Sequence, residues 1–260
     1  IESLPIQKEE GYRITKSGND IVIVGFDYHG AMYGAFKLLR TFIYNDEYIS
    51  CIRVNIAESP DKELRGVQLG YRDKTNAYDA WDKDTFDQYI RELLIFGANA
   101  IEIMPPITDD KRVGVHQKID LQEMALYLSK KIKSYGMDVW VWYPTISKYE
   151  EVKTRDDMIQ WYKKDFQSFK YIDHLMIPSG DPGELSPKDF YKECSLMYEI
   201  LKEYHPNAKM WISLQRQTPS DQWLEGFIEM TLSQPRWLYG LVYAPWTKLD
   251  PDEFHKTFGQ

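Results

Sequence analysis

Cysteine is scarce in this sequence: Cys51 and Cys194 are the only two among 260 residues. Two thiols form no metal-ligand pattern and at most one disulfide, so they say little about the redox compartment. Positive charge is also short. Lys and Arg number 32 against 40 Asp and Glu, a formal net charge of -8. A nucleic-acid protein rests its affinity on a basic face, and this balance argues against one. No apolar run approaches the ~20 residues that span a bilayer, so no membrane span is expected. GxGxxG is absent, and no glycine-rich phosphate loop follows the first strand of the repeating pattern. The five histidines (His29, His116, His174, His205 and His255) lack ligand spacing. No metal centre and no cofactor is expected.

Apolar and aromatic residues are plentiful, at 43% and 15%. That excludes disorder and suffices for one large α/β domain, or a small domain beside a medium one. Two textures meet near Ser59-Pro60. Before it, "GYRITKSGNDIVIVGFD" predicts two strands around a Ser17-Gly18-Asn19-Asp20 turn. "YHGAMYGAFKLLRTF" predicts a helix whose Gly30 and Gly34 permit close approach to a sheet, and "YISCIRVNIAE" predicts one further strand. Residues 1–58 are therefore expected to form a small, partial α+β domain.

Residues 59–260 repeat another pattern. Strand-like runs occur at "RGVQLGY", "ANAIEIM", "MDVWVWYP", "IDHLMIP", "AKMWISLQ" and "WLYGLVYAP", with helical stretches between them. Gly97 and Gly136 fall where helices should end in a left-handed cap. Ser186-Pro187 and Thr218-Pro219 fall where helices should begin. Strand starts recur every roughly 30 to 40 residues, the size of a βα unit. Apolar strands alternating with helices indicate a parallel sheet, doubly wound or closed as a (β/α)8 TIM-like barrel. Without a phosphate loop the barrel is preferred. Six units are counted, two short of closure, so the barrel is expected to be incomplete in this chain.

In such a barrel the working residues stand at the carboxyl ends of strands. Those ends supply Tyr71, Arg72 and Asp73, then Trp142 and Tyr143, then Asp181 and Glu184, then Gln215 and Arg216, then Tyr243 and Trp246. Aromatic faces stack on sugar rings, and carboxylates and guanidinium groups hold hydroxyls. A polar, uncharged or acidic sugar suits this set better than a phosphate. Asp181 sits in Ser179-Gly180-Asp181-Pro182-Gly183-Glu184, where two glycines and a proline fix a tight loop; its blander role is an Asx-turn or helix cap. Glu102 lies inside an apolar strand and must be paired or protonated: it is either a buried structural partner for an arginine or part of the site. Arg65 pairs with a neighbouring acid or binds substrate. Trp140, Trp142 and Trp211, inside strands, fit a core role as well.

The stretch "EEGYRITKSGNDIVIVGFDYHGAMYGAFKLLRTF" resembles the non-catalytic domain that precedes the barrel in family 67 α-glucuronidases and family 20 β-hexosaminidases. "SPDKELRGVQLGYR" resembles their entry into the first barrel strand, with Arg65-Gly66 as the arginine–glycine pair. Family 67 carries its catalytic acid in a Ser-Glu-Gly-x-Pro-Gly run; this chain has an aspartate, Asp181, at shifted spacing. The Asp-Glu pair of family 20 is absent, since proline follows Asp181. The resemblance implies a glycoside hydrolase acting on O-glycosidic bonds, with Asp181 as general acid. The reading of the strands adds Glu184 as the other candidate acid and sets Arg65, Tyr71, Arg72, Asp73, Glu102, Trp142, Tyr143, Gln215, Arg216, Tyr243 and Trp246 around the sugar. The alternative is a non-catalytic carbohydrate-binding barrel. No oligomeric state is indicated. No signal peptide is visible and the chain opens at Ile1; glycan degradation of this kind points to a periplasmic or secreted location.

Overall fold

The computed structural model describes residues 8–51, 54–72, 77–105, 116–149, 151–180, 185–216 and 219–259. Two units separate: residues 1–66 with 88–99, and residues 67–87 with 100–260.

In the first unit, β1 (Tyr12–Ser17) and β2 (Asp20–Gly25) form the expected hairpin, with Gly18 at φ 61° in its turn. Strand β5 (Ile56–Glu58) pairs with the other edge of β1. Helix α1 (Tyr28–Leu39) begins at Asp27, whose carboxylate accepts from Gly30 N at 2.7 Å. Gly34 is required there, because a Cβ would come within 2.6 Å of Ile23 Cγ2. One expectation is corrected. "YISCIRVNIAE" is not a single strand: β4 (Ile49–Cys51) forms a separate hairpin with β3 (Phe42–Tyr44), and only Ile56–Glu58 joins β1. Its β-branched residues suit a strand anywhere along its length, and propensity does not say which partner each half takes.

The second unit is built on a six-stranded sheet in the order β11-β10-β9-β8-β7-β6. Its strands are β6 (Gly66–Leu69), β7 (Ala100–Ile103), β8 (Asp138–Trp142), β9 (His174–Gly180), β10 (Lys209–Arg216) and β11 (Leu238–Val242). The registers from β7 to β11 are parallel. All six lie where the apolar runs place them. Helices α2 (Lys83–Ile95), α3 (Leu121–Ser134), α4 (Arg155–Ser168), α5 (Pro187–Tyr204) and α6 (Asp221–Leu232) alternate with the strands, and α7 (Pro251–Phe258) follows β11. Gly97 and Gly136 have φ of 98° and 78°, as a left-handed helix end requires. Ser186 caps α5, with Pro187 in its first turn. Helix α6 starts later than expected: its cap is Ser220, whose hydroxyl accepts from Trp223 N.

Strand alternation sorts the sheet into two faces. One carries Leu69, Ile101, Ile103, Val139, Val141, Tyr143, Leu175, Ile177 and Ile212, all fully buried. Helix α3 packs on β7 and β8, and α4, α5 and α6 pack side by side. Phe190 and Phe227 on these helices have no exposed surface; each such ring contributes about 2–3 kcal/mol of burial. The other face carries Ala100, Met104, Trp140, Trp142 and Met176 as one apolar cluster, with Trp211 and Val242 against it. Cys51 and Cys194 form no disulfide with each other.

Candidate functional site

The apolar cluster continues into a row of polar and aromatic groups. Glu102 is the register partner of Trp140, and Trp140 of His174. Trp140 stacks on His174 with centroids 4.4 Å apart, and Trp211 Nε1 donates to His174 Nδ1 at 2.9 Å. That bond puts the His174 proton on Nε2, which faces Asp138 Oδ2 at 3.4 Å. Gly240 makes room for Trp211; a Cβ there would lie 2.3 Å from the indole. Glu102 accepts from Gln68 Nε2 at 2.6 Å. Burial pushes its carboxyl up to about 7, and the Gln68 bond offsets part of that. The partner is thus an amide, where an arginine was one expectation. Trp140 Nε1 is buried without a hydrogen bond among the described residues.

At the carboxyl ends the structure separates the expected site residues into three groups. Arg72, Trp142, Gln215 and Arg216 stand at strand ends. Arg72 Nε is buried and has no hydrogen-bond partner among the described residues. Trp142 is in the apolar cluster, and Gln215 is buried. Arg216 is the register partner of Gly180, and its guanidinium lies over Trp223 at 4.6 Å and donates to Leu185 O at 3.4 Å. A Cβ at Gly180 would meet Arg216 Cγ at 2.9 Å, so glycine lets the arginine lie across the end of β9. Ser179 and Ser213 add buried hydroxyls that make no hydrogen bond among the described residues. Neither serine nor Gln68 was singled out from the sequence. The available signal was a lone polar residue inside an apolar strand, the pattern that did draw notice to Glu102.

Four residues serve the scaffold. Tyr143 points to the helix side: it is fully buried, and its hydroxyl donates to Asp165 at 2.6 Å. Burial lifts the Tyr143 hydroxyl far above its usual range and also raises the Asp165 carboxyl. Tyr71 donates to Ile119 O at 2.6 Å and packs edge-on to Phe86. Arg65 precedes β6 and binds Glu10 at 2.6 Å, with Gly97 O, Lys62 O and Glu63 O as further acceptors. Its guanidinium is occupied, which favours the structural role over substrate binding. Tyr243 donates to Leu249 O and packs against Phe254, although it keeps 46% exposure. Trp246 is 53% exposed at φ 63°, a left-handed conformation costly for a bulky residue. Asp73, Asp181 and Glu184 lie outside the described residues. Among the described residues no His/Cys/Asp/Glu group could hold a metal ion, and no helix is long and apolar enough to cross a membrane.

Solved structures share this architecture. A glycoside hydrolase family 20 β-N-acetylglucosaminidase superposes with a TM-score of 0.61 at 12% identity, covering 91% of this chain and 63% of its own. The family 84 protein CpGH84B gives 0.64 at 14% identity, over 100% and 48%. The family 89 glycoside hydrolase from Clostridium perfringens, in complex with 2-acetamido-1,2-dideoxynojirmycin, gives 0.57 at 12%, over 85% and 35%. The likeness is one of fold. It supports the resemblance to barrel glycoside hydrolases, on the family 20 side; family 67 gains nothing from it. The chain spans less than two thirds of the length of each of these three structures. No family model matches the sequence, and no curated protein matches it.

Proposed function

We propose that the six-stranded sheet is the greater part of a (β/α)8 barrel, residues 59–260, and that the protein is a glycoside hydrolase acting on O-glycosidic bonds of an oligosaccharide or polysaccharide. One observation carries this reading. The fold is that of family 20, 84 and 89 glycoside hydrolases, and Arg72, Trp142, Gln215 and Arg216 stand at the strand ends where such folds do their chemistry.

Glycoside hydrolysis takes two carboxyl groups flanking the scissile bond, one protonated as acid and one acting as base or nucleophile. Asp181 follows Gly180 directly in the chain and is assigned as general acid, with Glu184 as the other candidate on that loop. Arg216, across the end of β9, would hold a sugar hydroxyl or carboxylate in a two-point contact. Trp142 would offer a ring to a sugar face. A glycan-degrading role of this kind fits a periplasmic or secreted location.

The test is turnover of a panel of aryl glycosides, with the β-N-acetylglucosaminide among them, by wild type, Asp181→Asn and Glu184→Gln. Loss of the general acid should lower kcat by about 10²–10⁴-fold. Unchanged turnover in Asp181→Asn removes that residue from the mechanism. A wild-type protein that binds sugar without turning over any glycoside instead supports a carbohydrate-binding barrel, a second reading favoured by the indole and guanidinium groups alone.

A further inference from the structure

Outside the row of strand ends, a hollow of about 380 Å³ lies between the segment after β8 and the first turns of α4 and α5. Four cations line it: Lys148, Lys153, Arg155 and Lys192. In a chain of net charge -8 this is a local reversal of sign. Among the described residues none of the four forms an ion pair or a hydrogen bond through its side chain. Two acids share the lining, Asp189 and Glu193. Glu193 is already committed, accepting from Tyr162 Oη at 2.5 Å, Ile146 N at 2.7 Å and Ser147 N at 3.2 Å. Asp189 accepts from the Ser186 hydroxyl at 2.7 Å, beside the cap of α5. Asp157 is held in the capping box of α4 by the N–H groups of Lys153 and Thr154. Ser147, also on the wall, has a buried hydroxyl with no hydrogen-bond partner among the described residues.

Four exposed cations against two carboxylates leave the wall with an excess of positive charge, and an anion bound among them relieves the repulsion that remains. The hollow's place says which anion. Its wall takes residues from the segment after β8 and, from the β9–α5 connection, Leu185, whose carbonyl accepts from Arg216, the guanidinium at the end of β10. A volume of this size admits a sugar unit carrying a carboxylate or sulfate. We infer that this hollow is an anion-binding subsite for an acidic unit of the glycan chain, set apart from the strand-end residues. The inference rests on the glycosidase reading for its glycan, and on the four cations for its charge.

Binding of a sulfated oligosaccharide, its desulfated counterpart and inorganic sulfate to the full chain, followed by calorimetry, tests it. Wild type should prefer the sulfated chain by at least about tenfold, and Lys153→Gln/Lys192→Gln should abolish that preference while leaving affinity for the neutral chain unchanged. Arg155→Gln alone should lower the preference about threefold, and circular dichroism checks that each variant folds. Equal binding of both oligosaccharides, or a preference that survives in the double variant, overturns the subsite. Inorganic sulfate binding as tightly as the sulfated chain overturns the assignment to a glycan. Sulfated-chain binding that depends on Lys153 and Lys192, in a protein that turns over no glycoside, keeps the subsite and rejects hydrolysis.

Discussion

Gln68 Nε2 donates to Glu102 across neighbouring strands at 2.6 Å, the one hydrogen bond the Glu102 carboxyl receives among the described residues. A neutral amide stabilises the carboxylate less than a cation does, so burial dominates and raises the folded-state value from 4.5 to about 7. An acid raised on folding is more easily kept protonated in the folded state. Its contribution to stability is therefore full below about pH 4.5 and is lost as pH rises through about 7. The loss is on the order of 3 kcal/mol. Thermal unfolding at pH 5 and pH 8 should show a smaller drop for Glu102→Gln than for wild type. Equal drops would show that Glu102 ionises as it does in water.

Arg72 carries a buried Nε with no acceptor among the described residues. An unmet donor of this kind costs about 1–3 kcal/mol, and a ligand oxygen placed against it recovers that energy. Arg72→Ala should weaken sugar binding about tenfold while leaving the unfolding midpoint the same or higher. A large fall in stability with unchanged binding would make Arg72 a scaffold residue.

Glu193 gathers Tyr162 Oη and the N–H groups of Ile146 and Ser147, tying the segment after β8 to α5. Glu193→Ala strands three donors in a buried place. Urea denaturation should register a loss of about 3 kcal/mol or more, with faster proteolysis between residues 144 and 154. A loss under about 1 kcal/mol would mean that water replaces the carboxylate there.

Gly240→Ala places a methyl group 2.3 Å from the Trp211 indole. The indole must rotate, breaking its bond to His174 and its tilted contact with Trp140. Overpacking of this kind costs about 1–3 kcal/mol. Tryptophan fluorescence should shift along with the midpoint. A stable variant with an unaltered spectrum would show that the ring has room to move.

Strand positions were legible because each is a short apolar run bounded by glycine, proline or helix caps, and all six fall where expected. The direction of each side chain was harder. In "MDVWVWYP" the alternation correctly separates Trp140 and Trp142 from Val139, Val141 and Tyr143. Both sets are apolar, however, so hydrophobicity cannot tell which one faces the helices, and Tyr143 was assigned to the ligand side. Arg65 shows the same limit: its partner, Glu10, lies 55 residues away, and no local pattern announces the pair. Glu102 was flagged because a carboxylate inside a strand violates the pattern. Gln68, an uncharged amide, violates it less.

The parallel sheet ends at β6 on one side and β11 on the other, and among the described residues neither meets a further strand along its outer margin. Where such a margin is uncovered, its amide and carbonyl groups can recruit another polypeptide into the ladder. Val67 and Tyr239, both exposed on the border strands, are the positions at which a charged substitution would oppose that pairing.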